Sequence, residues 1–115
     1  MKRKLKGAIG EEKAAALLSN NGYTVLKKNY RSKFGEIDII AEKNNTLVFI
    51  EVKVSDFMGK ENLEYLINSF KQMHIINTAQ DYIRNNKTAT EKQMRFDVIF
   101  FQDDFKKIHH IENAF

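Results

Sequence analysis

Residues 36–54 have the sequence EIDIIAEKNNTLVFIEVKV, and this stretch decides the fold class of the chain. Apolar and polar residues alternate on both sides of Asn44-Asn45, as they do in the two strands of a hairpin. Asparagine tolerates the left-handed backbone that a two-residue hairpin turn requires. A turn at Asn44-Asn45 sets the register, because Lys43 then faces Thr46 and each following pair lies one residue further out.

This register divides the hairpin residues between two faces of a sheet. The predicted core face is entirely apolar and consists of Ile37, Ile39, Ala41, Val48, Ile50, Val52 and Val54. The opposite face consists of Glu36, Asp38, Ile40, Glu42, Leu47, Phe49, Glu51 and Lys53. Its large apolar members indicate a covered groove rather than a surface open to water.

The candidate catalytic residues lie on the second face. In this register Asp38 lies opposite Glu51, and Glu36 lies opposite Lys53. Facing carboxylates repel unless a partner neutralises them, and a hard divalent cation such as Mg²⁺ prefers a few carboxylate oxygens. With Lys53 available to contact a phosphate or the attacking water, the face predicts metal-dependent phosphodiester hydrolysis. The alternative is a solvated face with cross-strand ion pairs.

A helix is predicted upstream over residues 7–20, with Ala14, Ala15, Leu17 and Leu18 on its apolar face and Gly22 as its C-terminal stop. Glu11 shares that face and is a candidate third carboxylate of the metal site. It is equally consistent with an acid placed near a helix N-terminus. Gly7 and Gly10 would let a backbone approach closely.

The remaining pattern completes an αβββαββ order. A short strand is predicted over Tyr23–Asn29, and the last two strands over Arg95–Phe101 and Lys107–Glu112, around a turn at Asp103-Asp104. A long helix ending near Asn85-Asn86 is predicted from the spacing of Leu63, Leu66, Ile67, Phe70, Met73, Ile76, Ala79 and Ile83. The 115 residues are expected to form a single α/β domain, a sandwich with a mixed central sheet flanked by helices.

Composition narrows the function classes. The chain has no cysteine, which excludes disulfides, zinc-thiolate sites, iron–sulfur clusters and thiol catalysis. Its formal charge of +4 favours a polyanionic partner, and its basic N-terminal run is expected to be a solvated tail. No apolar run is long enough to cross a membrane, so a cytoplasmic location is expected. His109 and His110 alternate faces and are expected to be structural or exposed, and Tyr82 is expected to be core.

Several motifs in this order resemble the YraN-like family of the PD-(D/E)xK nuclease superfamily. They are Gly7-x-x-Gly10-Glu11 with Ala14, Asn29-Tyr30-Arg31, Gly35-Glu36-Ile37-Asp38, Val48-Phe49-Ile50-Glu51-Val52-Lys53, Lys71 with Ala79 and Tyr82, Arg95-Phe96-Asp97-Val98, and Asn113-Ala114-Phe115. The family resembles archaeal Holliday junction resolvases and has a restriction-endonuclease-like fold. Two positions depart from the pattern: Ile37 replaces the proline before the aspartate, and Ser55 stands where relatives often have arginine.

The resemblance implies that Glu11, Asp38 and Glu51 are metal ligands, together with the backbone carbonyl of Val52, and that Lys53 is the catalytic lysine. The cofactor would be Mg²⁺ or Mn²⁺. The expected function is a structure-selective DNA endonuclease acting on branched or flapped DNA, with or without assembly into a homodimer. Phosphate contacts are expected from Arg31, Lys33, Lys71 and Arg95, although Lys71 and Arg95 are each as easily a surface charge. The alternatives are a non-catalytic nucleic-acid-binding module of the same fold and a structural or interaction domain.

Overall fold

The computed structural model describes residues 3–55 and 67–115. In chain order the elements are α1 (Arg3–Asn20), β1 (Thr24–Ser32), β2 (Gly35–Lys43), β3 (Thr46–Val54), α2 (Ser69–Arg84), a 3₁₀ helix (Lys87–Glu91), β4 (Gln93–Gln102) and β5 (Lys107–Ile111). The predicted αβββαββ order is confirmed. The short 3₁₀ helix was not predicted.

The five strands form one mixed sheet in the order β1-β2-β3-β4-β5. Strand β3 pairs antiparallel with β2 and parallel with β4, and the remaining pairs are antiparallel. Because β3 is the middle strand and both faces of the sheet are covered, its run from Leu47 to Glu51 is buried throughout.

Two hydrophobic cores lie on the two faces of the sheet. The α1-side core contains Ala14, Ala15, Leu18, Tyr23, Ile39, Ala41, Val48, Ile50, Ile99 and Phe101. The α2-side core contains Ile37, Ile40, Leu47, Phe49, Ile67, Ile75, Ala79, Tyr82, Ala89, Val98 and Phe100. Both hairpin faces are therefore packed, and the covered groove predicted around Ile40 and Phe49 is the core beneath α2.

The predicted hairpin turn is confirmed, and so is the predicted register next to it. The pairing of the two strands ends sooner than predicted. Asn44 and Asn45 both have positive φ, and the paired residues run from Lys43–Thr46 to Ile39–Ile50. Asp38–Glu51 and Glu36–Lys53 are not among the paired residues. The two strands therefore stop pairing where the candidate site begins.

The assignment of Ile37 to the same face as Ile39 was wrong. Ile37 packs in the α2-side core with Ile40, whereas Ile39 packs in the α1-side core. Strict alternation would keep residues 37 and 39 on one face. The alternation is broken around Asp38, the first residue of β2 beyond its last pair with β3, Ile39–Ile50.

Helix α1 confirms the predicted apolar face and begins earlier than predicted. Ala14, Ala15 and Leu18 are buried, and Gly22 has a φ of 85° at the C-terminal stop. The helix already includes Arg3, so the described part of the basic N-terminal run is helical rather than a tail.

Helix α2 buries only part of the predicted face. Its buried residues are Ile75, Thr78, Ala79 and Tyr82, whereas Phe70 and Met73 are 78% and 61% exposed. Ile67 is buried but precedes the N-cap, Asn68, and the C-cap is Asn85 as predicted. Leu63 and Leu66 lie outside the described residues. The error arose because the spacing of large apolar residues ignored Thr78, whose hydroxyl donates to the carbonyl of His74 and is thereby buried without penalty.

Candidate functional site

Asp38 lies at the fork where β2 separates from β3. One carboxylate oxygen, Oδ2, accepts a hydrogen bond of 2.8 Å from the backbone N–H of Val52. The side chain of Asp38 thus takes the place of a backbone partner for β3 where the paired residues end. This bond holds the carboxylate beside the strand that carries Glu51 and Lys53.

Glu51 is buried, with a side-chain exposure of 5%. Its Oε1 atom lies 3.3 Å from Nζ of Lys53 and 3.4 Å from Nζ of Lys71. A buried carboxylate is unfavourable without a partner, and two ammonium groups supply the compensating charge here. The contact from Lys71 also joins α2 to the middle strand of the sheet.

Burial and neighbouring acids disfavour the ionised form of Asp38. Burial raises its pKa from 3.8 to about 7, and the neighbouring charge of Glu51 adds to the rise. The Val52 N–H opposes the shift by stabilising the carboxylate, and Lys71 opposes it by its positive charge. Neighbouring acids that disfavour each other's ionisation are common at functional sites.

Glu11 joins this environment from the other face of the sheet. Its charge also raises the pKa of Asp38, so α1 brings a third carboxylate within electrostatic reach of the fork. The approach of α1 depends on Gly10, where a Cβ atom would lie 2.8 Å from Cγ2 of Val54. The close approach predicted at Gly10 is confirmed, whereas a Cβ atom at Gly7 would have no neighbour within 4 Å.

The donor set of the fork fits a hard divalent cation that keeps much of its water. Among residues 3–55 and 67–115, no three side chains of metal-binding type are grouped closely enough to hold an ion. Mg²⁺ is commonly held by only one or two carboxylates, with water completing its octahedron. Asp38 and Glu51 would provide that pair, and the Val52 carbonyl and Glu11 stay predicted ligands.

The predicted phosphate contacts lie in different surroundings. Arg31 and Lys33 are exposed at the β1–β2 turn, beside a shallow cavity of about 420 Å³ that Phe34 and Glu36 also line. Arg31 contacts Glu36 at 3.5 Å, and Lys33 lies over the ring of Phe34. Lys71 reaches the fork itself. These phosphate contacts stay predictions.

Arg95 belongs to a separate buried network. Its Nε and Nη2 atoms donate to the two oxygens of Asp97, each at 2.9 Å, and Nη2 also donates to the hydroxyl of Tyr23. Nε2 of His110 lies 2.7 Å from Oδ2 of Asp97, and the backbone N–H of Asn113 donates to Oδ1. This network holds β4, β5 and the C-terminal residues together.

Sequence reasoning missed two features of the polar interior. It did not predict the contact of Lys71 with Glu51, because only packing sets the position of α2 against β3. It also gave no role to Asp97, which has no exposed surface. The signal was present in the sequence, since Asp97 is a lone acid next to the apolar run Val98–Phe101.

Known proteins are similar to this chain over most of its length. Residues 10–101 match the model of a family described as "Uncharacterised protein family UPF0102". The chain belongs to the UPF0102 family. A UPF0102 protein of Persephonella marina is 45% identical over 96% of this chain and 93% of its own length. Relatives from Alkaliphilus oremlandii, at 44% identity, and Thermodesulfovibrio yellowstonii, at 48%, cover similar shares of both chains.

The matched region contains Glu11, Asp38, Glu51, Lys53, Lys71 and Asp97. None of the helices in the described part of the chain is both long and apolar enough to cross a lipid bilayer.

Proposed function

We propose that this protein is a Mg²⁺- or Mn²⁺-dependent DNA endonuclease that acts on branched or flapped DNA, of the PD-(D/E)xK type. The observation that carries the proposal is the meeting of Asp38, Glu51 and Lys53 where the pairing of β2 with β3 ends. A buried acid, a partly buried acid and an ammonium group, brought together where the two strands separate, match the needs of phosphodiester hydrolysis. We propose a cytoplasmic location, in keeping with the absence of cysteine.

In this proposal Asp38 and Glu51 hold the cation, and Glu11 completes or orients the site. When bound, the cation supplies Lewis-acid polarisation of the phosphate and lowers the pKa of a water molecule. The Val52 N–H keeps the Asp38 carboxylate oriented. The ammonium group of Lys53 stabilises the negative charge that builds on the phosphate oxygens in the transition state.

The overall reaction adds one water molecule across a P–O ester bond. The oxygen of water forms a new bond to phosphorus, the bond to the leaving sugar oxygen breaks, and the leaving oxygen takes up a proton.

The test is cleavage of a four-way junction, a flap and a linear duplex with Mg²⁺, Mn²⁺ or chelator. Cleavage of the branched substrates with metal and its loss in Asp38→Asn are expected. Glu91→Gln is the matched control, because Glu91 is an exposed acid on the 3₁₀ helix, near the other end of the β3–β4 pair. Cleavage that persists in Asp38→Asn, or that needs no metal, contradicts the proposal.

A non-catalytic nucleic-acid-binding module is the second candidate. It is favoured by the two ammonium groups that already neutralise Glu51, since such a site is satisfied without a metal. This candidate predicts salt-sensitive DNA binding with no metal-dependent cleavage of any branched, nicked or single-stranded substrate.

A further inference from the structure

Two ammonium groups from different elements share one oxygen of Glu51. Nζ of Lys53 and Nζ of Lys71 lie 3.3 Å and 3.4 Å from the same atom, Oε1. Both cations are therefore directed at an acid that the proposed function assigns to the metal. A divalent ion at this oxygen would stand next to two like charges, which repel it strongly in a buried site.

The two lysines are not equally free to leave. Lys53 belongs to β3, two residues from Glu51, and its side chain is 30% exposed. Lys71 lies in the first turn of α2, and its side chain is 44% exposed. Its backbone N–H is held by the side chain of Asn68, the N-cap, so the helix end stays in place whichever way the ammonium group points.

Lys71 also acts on the second acid of the fork. Its charge is one of the influences that stabilise ionised Asp38. It therefore does part of what a cation between Asp38 and Glu51 would do, and a bound cation would make that contribution redundant.

We propose that Lys71 holds the place of the divalent cation on Glu51 in the metal-free protein and moves to a DNA phosphate when the cation binds. The inference rests on the proposed function for its metal and its DNA. It makes Lys71 a positioning residue that couples the two ligands. Because coupling is reciprocal, metal raises the affinity for DNA, and DNA raises the affinity for metal by the same factor.

The experiment compares the unaltered protein with Lys71→Met and with Lys87→Met, a control that removes an exposed lysine from the 3₁₀ helix. Calorimetry measures the binding of Mn²⁺ alone. Fluorescence anisotropy measures the affinity for a four-way junction with phosphorothioate linkages, which keep their charge and resist hydrolysis, with and without Mn²⁺.

Lys71→Met is expected to bind Mn²⁺ about tenfold more tightly in the absence of DNA, because a competitor for Oε1 is gone. The increase in DNA affinity that Mn²⁺ brings to the unaltered protein should be smaller in this variant, because no ammonium group at position 71 is released to a phosphate when the metal binds. Lys87→Met should behave as the unaltered protein does in both measurements. Lys71→Arg retains the positive charge and should retain the coupling.

Unchanged Mn²⁺ affinity with weaker DNA binding would make Lys71 a simple phosphate contact and overturn the proposal. Weaker Mn²⁺ binding in Lys71→Met would also overturn it, since Lys71 would then support the metal site. If the unaltered protein binds no Mn²⁺, this inference and the metal site fail together. If it binds Mn²⁺ and DNA with the stated coupling but cleaves nothing, only the proposed nuclease activity fails.

Discussion

The side chain of Asp38 accepts a 2.8 Å hydrogen bond from the backbone N–H of Val52, beyond the last pair of residues that joins β2 to β3. The bond spans 14 positions of the sequence and ties an acid to the strand that carries Glu51. It orients the acid, and the burial that comes with it disfavours the charge. Both properties can be tested without any assay of cleavage.

The stability of the metal-free protein should fall as pH rises from about 4 to about 7. The pKa of Asp38 is 3.8 in the unfolded chain and about 7 in the folded protein, chiefly because of burial. In this window the folded state binds more protons than the unfolded state, so stability decreases with pH and stays reduced above it. Urea unfolding in chelator at pH 5 and pH 8 measures the effect.

Asp38→Asn removes this titration. The stability of Asp38→Asn relative to that of the unaltered protein should therefore be greater at pH 8 than at pH 5. Glu91→Gln, an exposed acid, serves as the control and should show no such pH-dependent gain. An equal difference between Asp38→Asn and the unaltered protein at both pH values contradicts the assignment.

Binding of Mn²⁺ should weaken when the pH falls from 8 to 6. Asp38 must lose its proton to act as a ligand, and its raised pKa places that loss within this range. The rise in melting temperature on adding Mn²⁺ reports the binding, because a ligand of the folded state stabilises it. A rise of the same size at both pH values, or one that survives in Asp38→Asn, would speak against this ligand.

Alanine at the two glycines of α1 should have opposite effects. At Gly7 a Cβ meets nothing within 4 Å, so Gly7→Ala should stabilise the helix by roughly 0.5–1 kcal/mol. At Gly10 the Cβ would lie 2.8 Å from Val54, so Gly10→Ala should destabilise the protein by about 1–3 kcal/mol. Chemical denaturation of both variants provides the comparison, and equal effects would show that α1 does not depend on this approach.

Asp97 should dominate the acid sensitivity of the fold. Burial alone would raise its pKa, but the contacts from His110, Arg95 and the Asn113 N–H hold that pKa below its ordinary value. The stability that these contacts contribute is present above pH 3.8 and is lost as pH falls through the lowered pKa.

Asp97→Asn should therefore cost about 3–5 kcal/mol near neutral pH, because Arg95 loses its charged partner in a largely buried site. Asp103→Asn is the matched control, since Asp103 is an exposed turn residue whose positive φ asparagine tolerates. Urea unfolding at pH 7 measures both, and a cost below 1 kcal/mol for Asp97→Asn would refute a stabilising role.

The salt dependence of DNA binding should distinguish the exposed basic residues of the β1–β2 turn from the largely buried Arg95. Removing Arg31 or Lys33 should lower the slope of log affinity against log salt by about 1 if each contacts a phosphate. Arg95 is already engaged by Asp97 and Tyr23, so Arg95→Met should leave that slope unchanged. The measurement is anisotropy of a labelled junction over a salt series, and a reduced slope in Arg95→Met would show that its network opens on DNA.

Local sequence patterns determined much of this fold. The asparagine pair marked the turn, and the register from Lys43 to Ile39 follows from that turn, because a two-residue loop leaves one way to align its strands. Glycine and small apolar residues likewise identified the buried face of α1. Asp38, Glu51 and Lys53 were recognisable as unusual because they interrupt strands that are otherwise apolar.

Tertiary packing decided what periodicity could not. The break in alternation at Asp38, the rotation of α2 that exposes Phe70, and the approach of Lys71 to Glu51 each depend on contacts between elements distant in sequence. The pattern of a single strand predicts only continued alternation. The pattern of a single helix does not indicate which element the helix packs against. The sequence alone thus determined the hairpin and the candidate acids, and the packed structure decided how those acids are oriented, buried and neutralised.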